Sequence, residues 1–215
     1  MDTARSGTEL ARFWAEVTGC SFTWTGAADD PGDVVGPVEG MGIALCPVPE
    51  EKTVKNRVHL DVLTSSVESL LALGARPAPG FAGDPWTVLL DPEGGEFCAF
   101  VREGELPAYR TYELVVDSVD PSGITQWWSE VFGVPVRSDG KPWQWLDGVP
   151  GMPFESLVFG SVPEPKTVKN RIHWDVYGDV DDLLSRGATH LWDQPRWTVL
   201  ADPEGNEFCV FPDPG

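Results

Sequence analysis

The chain has 215 residues, with 15 Lys and Arg against 34 Asp and Glu, for a formal charge of −19. That charge repels phosphate backbones and argues against a nucleic-acid partner. No apolar run reaches the ~18 residues of a membrane span, and 41% apolar residues with ten Trp suffice for two packed domains of about 100 residues each.

The opening, Met1-Asp2-Thr3-Ala4-Arg5-Ser6-Gly7, has no basic-then-apolar signal pattern. The first predicted helix runs Glu9 to Val17, with Leu10, Phe13, Trp14 and Val17 at helical spacing and Gly19 as its C-terminal stop. Strands are predicted near Phe22–Thr25 and Gly42–Cys46, then the strand Arg57-Val58-His59-Leu60-Asp61-Val62, a short helix Val67–Leu73 closed by Gly74-Ala75, and a hairpin turning at Asp91-Pro92-Glu93-Gly94. Arg102 to Ala108 reads as a linker. Beyond it come a strand at Tyr112–Val116, a turn at Asp120-Pro121-Ser122-Gly123, and a helix from Ile124 to Val131 stopped by Gly133. Strands at Pro142–Leu146 and Ser156–Phe159, the strand carrying Arg171, His173 and Asp175, a helix Val180–Ser185, and a second Asp-Pro-Glu-Gly hairpin complete the chain.

The chain therefore repeats itself. Residues 52–62 return as 166–176 with nine of eleven positions identical, and residues 86–100 return as 197–211 with twelve of fifteen identical. The spacings, 114 and 111 residues, mark a duplication with copies at 1–104 and 109–215, and not a solenoid of about 20–50-residue repeats. Aligning Gly19 with Gly133 sets Met1 opposite Val115, so copy one is expected to lack the opening strand that copy two has, and its edge to need a cover.

Alternation places Arg57, His59 and Asp61 on one strand face, and Arg171, His173 and Asp175 likewise. Glu96, Cys98 and Phe100 share a face of the last strand, as do Glu207, Cys209 and Phe211. Three readings stay open. His with carboxylates supplies metal donors. The same groups suit a general base with an orienting carboxylate. A structural network, Asp61 paired with Arg57 or another cation and Asp175 likewise, would also satisfy them. The cysteines Cys20, Cys46, Cys98 and Cys209 lack CxxC or zinc-ribbon spacing. They are expected as free thiols in a reducing cytosol, with Cys98 and Cys209 as buried small residues or, beside a cation, nucleophiles. Trp14, Trp86, Trp127, Trp128 and Trp197 read as helix-to-sheet core, Trp143, Trp145 and Trp192 as candidates to line a pocket, and His190 as a loop residue without a role.

The segments Arg-Phe-Trp-Ala-Glu-Val-x-Gly at 12–19 and Gln-Trp-Trp-Ser-Glu-Val-Phe-Gly at 126–133, with the two duplicated blocks, resemble the vicinal-oxygen-chelate superfamily. That superfamily includes glyoxalase I, bleomycin-resistance proteins and extradiol dioxygenases; more narrowly the chain resembles its glyoxalase-like domains. The resemblance implies an α+β fold of tandem βαβββ modules forming two glyoxalase-like domains with mixed sheets curled around a cavity. It also implies metal-ligand positions at His59 and His173, at Cys98 and Cys209 in place of a usual Glu, near Cys46 and Gly160, and near Glu113. Cys at the terminal-strand position makes the expected cofactor none, with a divalent metal as the alternative. The expected function is binding of a small organic molecule in the concave sheet, by sequestration or metal-independent chemistry. The alternatives are a metal-dependent lyase, isomerase or dioxygenase, and a structural or interaction module without ligand. Copy two is the favoured site, with His173, Asp175 and Glu113 as catalytic candidates and Arg171, Glu207, Cys209, His59, Asp61, Trp143 and Trp145 as ligand-binding candidates. A cytoplasmic location, no membrane partner and an allowed homodimer complete the expectations.

Overall fold

A computed structural model describes residues 1–4, 8–38, 40–80 and 85–212. Copy one contains β1 (Asp2–Thr3), α1 (Glu9–Thr18), β2 (Ser21–Thr23), β3 (Asp33–Val35), β4 (Gly42–Ala44), β5 (Cys46–Pro47), β6 (Val58–Thr64), α2 (Val67–Ala72), β7 (Arg76–Pro77), β8 (Thr87–Leu90) and β9 (Glu96–Val101). Copy two contains β10 (Thr111–Ser118), α3 (Pro121–Phe132), β11 (Val136–Arg137), β12 (Trp143–Asp147), β13 (Ser156–Ser161), β14 (Trp174–Tyr177), α4 (Val180–Ser185), β15 (Thr189–Asp193), β16 (Thr198–Ala201) and β17 (Glu207–Phe211). No helix among the described residues is long and apolar enough to cross a membrane.

The helices form where the apolar spacing demands them. Leu10, Phe13, Trp14 and Val17 of α1 are all buried, and Gly19 ends the helix at φ 75°, a left-handed conformation that a side chain would strain. Helix α3 starts earlier than the apolar pattern suggests. Asp120-Pro121-Ser122-Gly123 is its first turn and not a separate one, because Asp120 caps it, its carboxyl accepting the Gly123 N–H at 3.1 Å, and Pro121 at the first helical position gives up no needed donor. The Asp-Pro-Glu-Gly hairpins form as read: Asp91 accepts from the Glu93 and Gly95 N–H groups, Asp202 from those of Glu204 and Asn206, and Gly94 and Gly205 take positive φ.

The sheets cross the boundary between the copies. The largest has eight strands in the order β11-β12-β13-β10-β6-β9-β8-β7, joining the second half of copy one to the first half of copy two. The other halves supply a four-stranded sheet β14-β17-β16-β15, a three-stranded sheet β2-β3-β4 and the pair β1-β5. The joint in the large sheet is β6 against β10, antiparallel, with Leu60 opposite Leu114, His59 opposite Val115 and Asp61 opposite Glu113. Val58, Leu60 and Val62, and Leu114 and Val116, turn into the core with the helices, leaving the intervening residues for the other, concave face.

The opening residues of copy one do form a strand, against the expectation that it would be lacking. Asp2 and Thr3 pair with Cys46 and Pro47, and the Asp2 N–H donates to Arg171 O at 2.7 Å, as the Asp117 N–H donates to Arg57 O at 2.7 Å. Asp2 thus stands where Asp117 stands, one position off the glycine-based alignment, because copy one has one residue more between strand and helix stop.

The six-residue Lys-Thr-Val-Lys-Asn-Arg part of the repeat is scaffold. Lys52 pairs with Glu96 at 2.9 Å and Lys166 with Glu207 at 2.7 Å; the same two carboxylates accept the Asn56 and Asn170 N–H groups. Lys55 pairs with Asp117 and Lys169 with Asp2. Arg57 donates to Glu164 O and Asp117 O, and Arg171 to Glu50 O and Asp2 O. The arginines therefore do not pair with Asp61 and Asp175, as strand-face sharing suggested; their long side chains run to main-chain carbonyls of the opposite copy, in the loops at Glu164 and Glu50 and the strands at Asp117 and Asp2. The two loops line a cleft of about 840 Å³ whose basic groups are engaged in these bonds. Arg57→Ala should lower stability by roughly 1.5–3 kcal/mol, the worth of hydrogen bonds from a charged donor, and Arg171→Ala should do the same. Thermal melts showing both variants unchanged would contradict this bracing role.

Candidate active site

The concave face of the eight-stranded sheet gathers titratable groups from three adjacent strands. His59 and Asp61 come from β6, Cys98 from β9 beside Asp61, and Glu113 from β10 opposite Asp61. His59 Nε2 lies 3.4 Å from Asp61 Oδ1. Neither His59 Nδ1 nor Asp61 Oδ1 has a hydrogen-bond partner, although both atoms are buried. Unpaired buried polar atoms cost free energy and cluster where a ligand completes them.

Burial sets the protonation states. It holds the Asp61 carboxyl well above the usual carboxylate range, and the neighbouring Glu113 charge pushes the same way. Glu113 is pushed up to about 7, first by burial and then by Glu155, with Arg102 opposing. Burial takes His59 down to about 3, helped by Lys55, and raises the Cys98 thiol, as does Asp61 beside it. At neutral pH the floor of the site thus presents a neutral imidazole, a neutral thiol, an Asp61 carboxyl that burial biases towards its neutral form, and a Glu113 near half-protonation. Cys98 has no depressed pKa, so the nucleophile reading of that residue loses its physical basis.

Aromatic rings flank this floor. Trp86 stacks on Phe100 at 5.7 Å, Phe100 meets Tyr112 at 5.3 Å, and Arg102 lies over the Tyr112 ring at 5.3 Å. Trp143, from β12, reaches Trp86 at 6.2 Å although four strands separate β12 from β8 in the sheet order. That contact shows how tightly the sheet curls. Trp145 lies on the same strand, opposite Val158. Trp86 and Trp197 therefore are not helix-to-sheet core; Trp197 stacks on Phe211 at 5.3 Å in the matching place. Trp14 and Trp128 are core, both fully buried.

The sequence grouping of His173, Asp175 and Glu113 does not assemble. Glu113 faces Asp61 in one sheet, while His173, Asp175 and Cys209 belong to the β14–β17 side of another. His173 Nε2 is 3.1 Å from Asn170 O, burial takes its pKa down to about 4, and Cys209 is pushed up to about 12. Asp175 is exposed where Asp61 is buried. Glu207 and Arg171 belong to the scaffold network described above. His190 lies on β15, not in a loop, with Nε2 3.2 Å from the Asp193 carboxyl. Sequence reading missed Trp86, Phe100, Tyr112, Arg102 and Glu155 as site neighbours. The alternation Cys98-x-Phe100 was a usable signal for Phe100; the register shift that brings Tyr112 beside Phe100 was not readable.

Paired βαβββ halves thus curl a mixed sheet over a His–carboxylate floor. The chain belongs to the family described as glyoxalase-like domain, which matches residues 1–100 and 113–211, one copy each. The fold is similar to a putative dioxygenase from Bacillus subtilis, with TM-score 0.65 and 14% identity over 100% of this chain and 84% of that one. It is also similar to an E144Q glyoxalase I mutant from Zea mays, with TM-score 0.63 and 14% identity over 95% of this chain and 88% of that one. No match was found among curated proteins.

Proposed function

We propose that the concave face of the eight-stranded sheet binds a small uncharged organic molecule with a planar, conjugated part and oxygen acceptors. The observation that supports this is the directly opposed pair Asp61–Glu113 beneath the Trp86–Phe100–Tyr112 row. The plane packs against the rings, and Asp61, whose burial favours the neutral carboxyl, donates to a ligand oxygen when protonated. Glu113, with a pKa near 7, can give or take a proton from bound ligand, which suits lyase- or isomerase-like proton transfer without a metal. Calorimetric titration with a panel of uncharged planar phenols and ketones tests the reading. A binder should lose roughly tenfold in affinity in Trp143→Ala and its pH dependence near 7 in Glu113→Gln. A panel without a binder, or a binder indifferent to both substitutions, would refute it.

The donor set favours one other occupant. A His nitrogen, a carboxylate oxygen and a Cys sulfur from His59, Asp61 and Cys98 lie within 4.8 Å of one another, a spread that a divalent cation can bridge. The unpaired His59 Nδ1 and Asp61 Oδ1 fit such a role. These three residues would hold the ion, which would polarise a ligand oxygen as a Lewis acid. Metal analysis of protein purified without chelator separates the readings: stoichiometric Zn²⁺, Ni²⁺ or Fe²⁺ lost in His59→Ala would replace the metal-free reading.

A further inference from the structure

The repeated loop keeps more than the scaffold uses. Lys52, Lys55, Asn56 and Arg57, with their counterparts, are accounted for by the ion pairs and hydrogen bonds of the scaffold. Thr53 and Val54 are not, nor are Thr167 and Val168. All four are exposed, the valines at 45% each, and neither threonine side chain makes a hydrogen bond among the described residues. Surface residues vary freely where nothing binds them. This chain shows such drift at the ends of α2 and α4, where exposed Ala72 and Leu73 answer to exposed Ser185 and Arg186. Thr53-Val54 and Thr167-Val168 have not drifted, and both pairs line the cleft of about 840 Å³ between the copies. Small-molecule sites run from roughly 300 to 1,000 Å³. None of His59, Asp61, Cys98 and Glu113 lines this cleft, so it is separate from the concave face.

Charge gathers here against the run of the chain. The whole carries −19, yet four of its five lysines, Lys52, Lys55, Lys166 and Lys169, stand on these two loops with Arg57 and Arg171. Lys55 and Arg57 converge on Asp117, one on its carboxylate and the other on its carbonyl; Lys169 and Arg171 converge on Asp2 in the same way. These bonds do not use the cations up. An ammonium has three donors, and the Lys55 and Lys169 side chains remain 44% exposed. The guanidinium groups donate to carbonyls, which carry no net charge to offset theirs. Glu93 stands 3.9 Å from Arg171, beyond hydrogen-bond reach, and no carboxylate pairs with Arg57 among the described residues. Arg57 Nε is buried without a partner. Glu50, Glu51 and Glu164 also border the cleft, but all three are exposed, where water and salt screen them.

We propose that the cleft binds a small organic dianion, with one acidic group at Lys55 and Arg57, the other at Lys169 and Arg171, and its apolar body against Val54 and Val168. Two like cation pairs from two like loops suit a ligand with an acidic group at each end. Carboxylate and phosphate groups both accept from arginine and lysine donors. The paired valines supply the apolar contact that an inorganic anion could not use.

Calorimetric titration of the full chain with linear dicarboxylates from succinate to sebacate, and with alkane bisphosphonates of matching lengths, tests the proposal. At least one member of one series should bind, and the series in which it falls identifies the acidic group. The monoanion of the same length should bind at least about tenfold more weakly, because it leaves one cation pair empty. Val54→Asp and Val168→Asp alter exposed positions outside the core, so the fold is kept. Each should weaken binding by about tenfold or more, since it sets a like charge against the ligand. Trp143→Ala, at the concave face, should leave binding unchanged. Failure of both series to bind, equal affinity for monoanion and dianion, or indifference to both aspartate substitutions would overturn the proposal. Binding abolished by Trp143→Ala would overturn it too, by moving the dianion to the concave site.

Discussion

Trp128→Ala is expected to destabilise the protein by about 3–5 kcal/mol, the usual cost of emptying a buried Trp site. Trp128 is 0% exposed and sits at the centre of an aromatic cluster. Its ring lies 4.7 Å from Trp127, 4.9 Å from Phe208, 5.0 Å from Phe132 and 5.4 Å from Trp174. Those partners come from α3, β14 and β17, so the substitution loosens the helix from the four-stranded sheet. Its Nε1–H also donates to Asp202 Oδ2 at 3.4 Å. Asp202 is 2% exposed, and burial already lifts its pKa to about 6. Losing a donor there adds to the cavity cost. For a chain of this size each kcal/mol moves Tm by roughly 2–4 °C, so a fall of roughly 6–20 °C is expected. Trp24→Ala is the control. Trp24 is 49% exposed and donates to the loop carbonyls of Ala27 and Asp30, so its loss should cost about 1 kcal/mol or less. Equal Tm shifts in the two variants would contradict the assignment of Trp128 to the core.

Much of the local structure was legible because apolar spacing and turn chemistry are local. Leu10, Phe13, Trp14 and Val17 specify α1 without reference to anything distant, and Asp-Pro-Glu-Gly specifies both hairpins. The Asp120–Gly123 segment was misread because Pro and Gly punctuate turns and also open helices; only the Asp120 cap decides between them. The site was half legible. Alternation placed His59 and Asp61 on a concave face, but nothing in a repeat says which copies share a sheet. Glu113 was grouped with His173 and Asp175 because all three lie in copy two, whereas its partner strand is β6 of copy one. Arg57 and Asp61 share a strand face, yet the Arg side chain is long enough to leave it for Glu164 O and Asp117 O. Near-identical sequence in the two copies also concealed their difference: Asp61 is buried beside β10, while Asp175 is exposed, with β14 paired to β17 among the described strands.

That difference makes Glu113→Gln the most informative substitution at the site. Its carboxyl has Asp61 across the strand pair and Glu155, Arg102 and Tyr112 around it. In the folded protein its pKa stands at about 7 against an ordinary value of 4.5. The folded state therefore holds this proton through a pH range where the unfolded chain has released it. Stability from this group is complete below about pH 4.5, declines as pH rises, and is fully lost above about pH 7. A neutral glutamine carries no such penalty. Glu113→Gln should match the native protein at pH 4.5 and exceed it at pH 8, by on the order of 1–2 kcal/mol after allowing for the side chain's partial exposure. Comparing the two proteins at each pH removes the opposing contribution of His59 and His173, whose lowered pKa values make stability rise over the acidic range. Asp61→Asn should raise stability in the same direction. It should leave the Glu113 pKa near 7, because burial and Glu155, and not Asp61, hold it up. Chemical denaturation at pH 4.5, 6 and 8 reads all three proteins. A Glu113→Gln advantage that is constant across pH, or that shrinks towards pH 8, would show that Glu113 is ionised in the folded state at neutral pH and cannot serve as the site's proton donor.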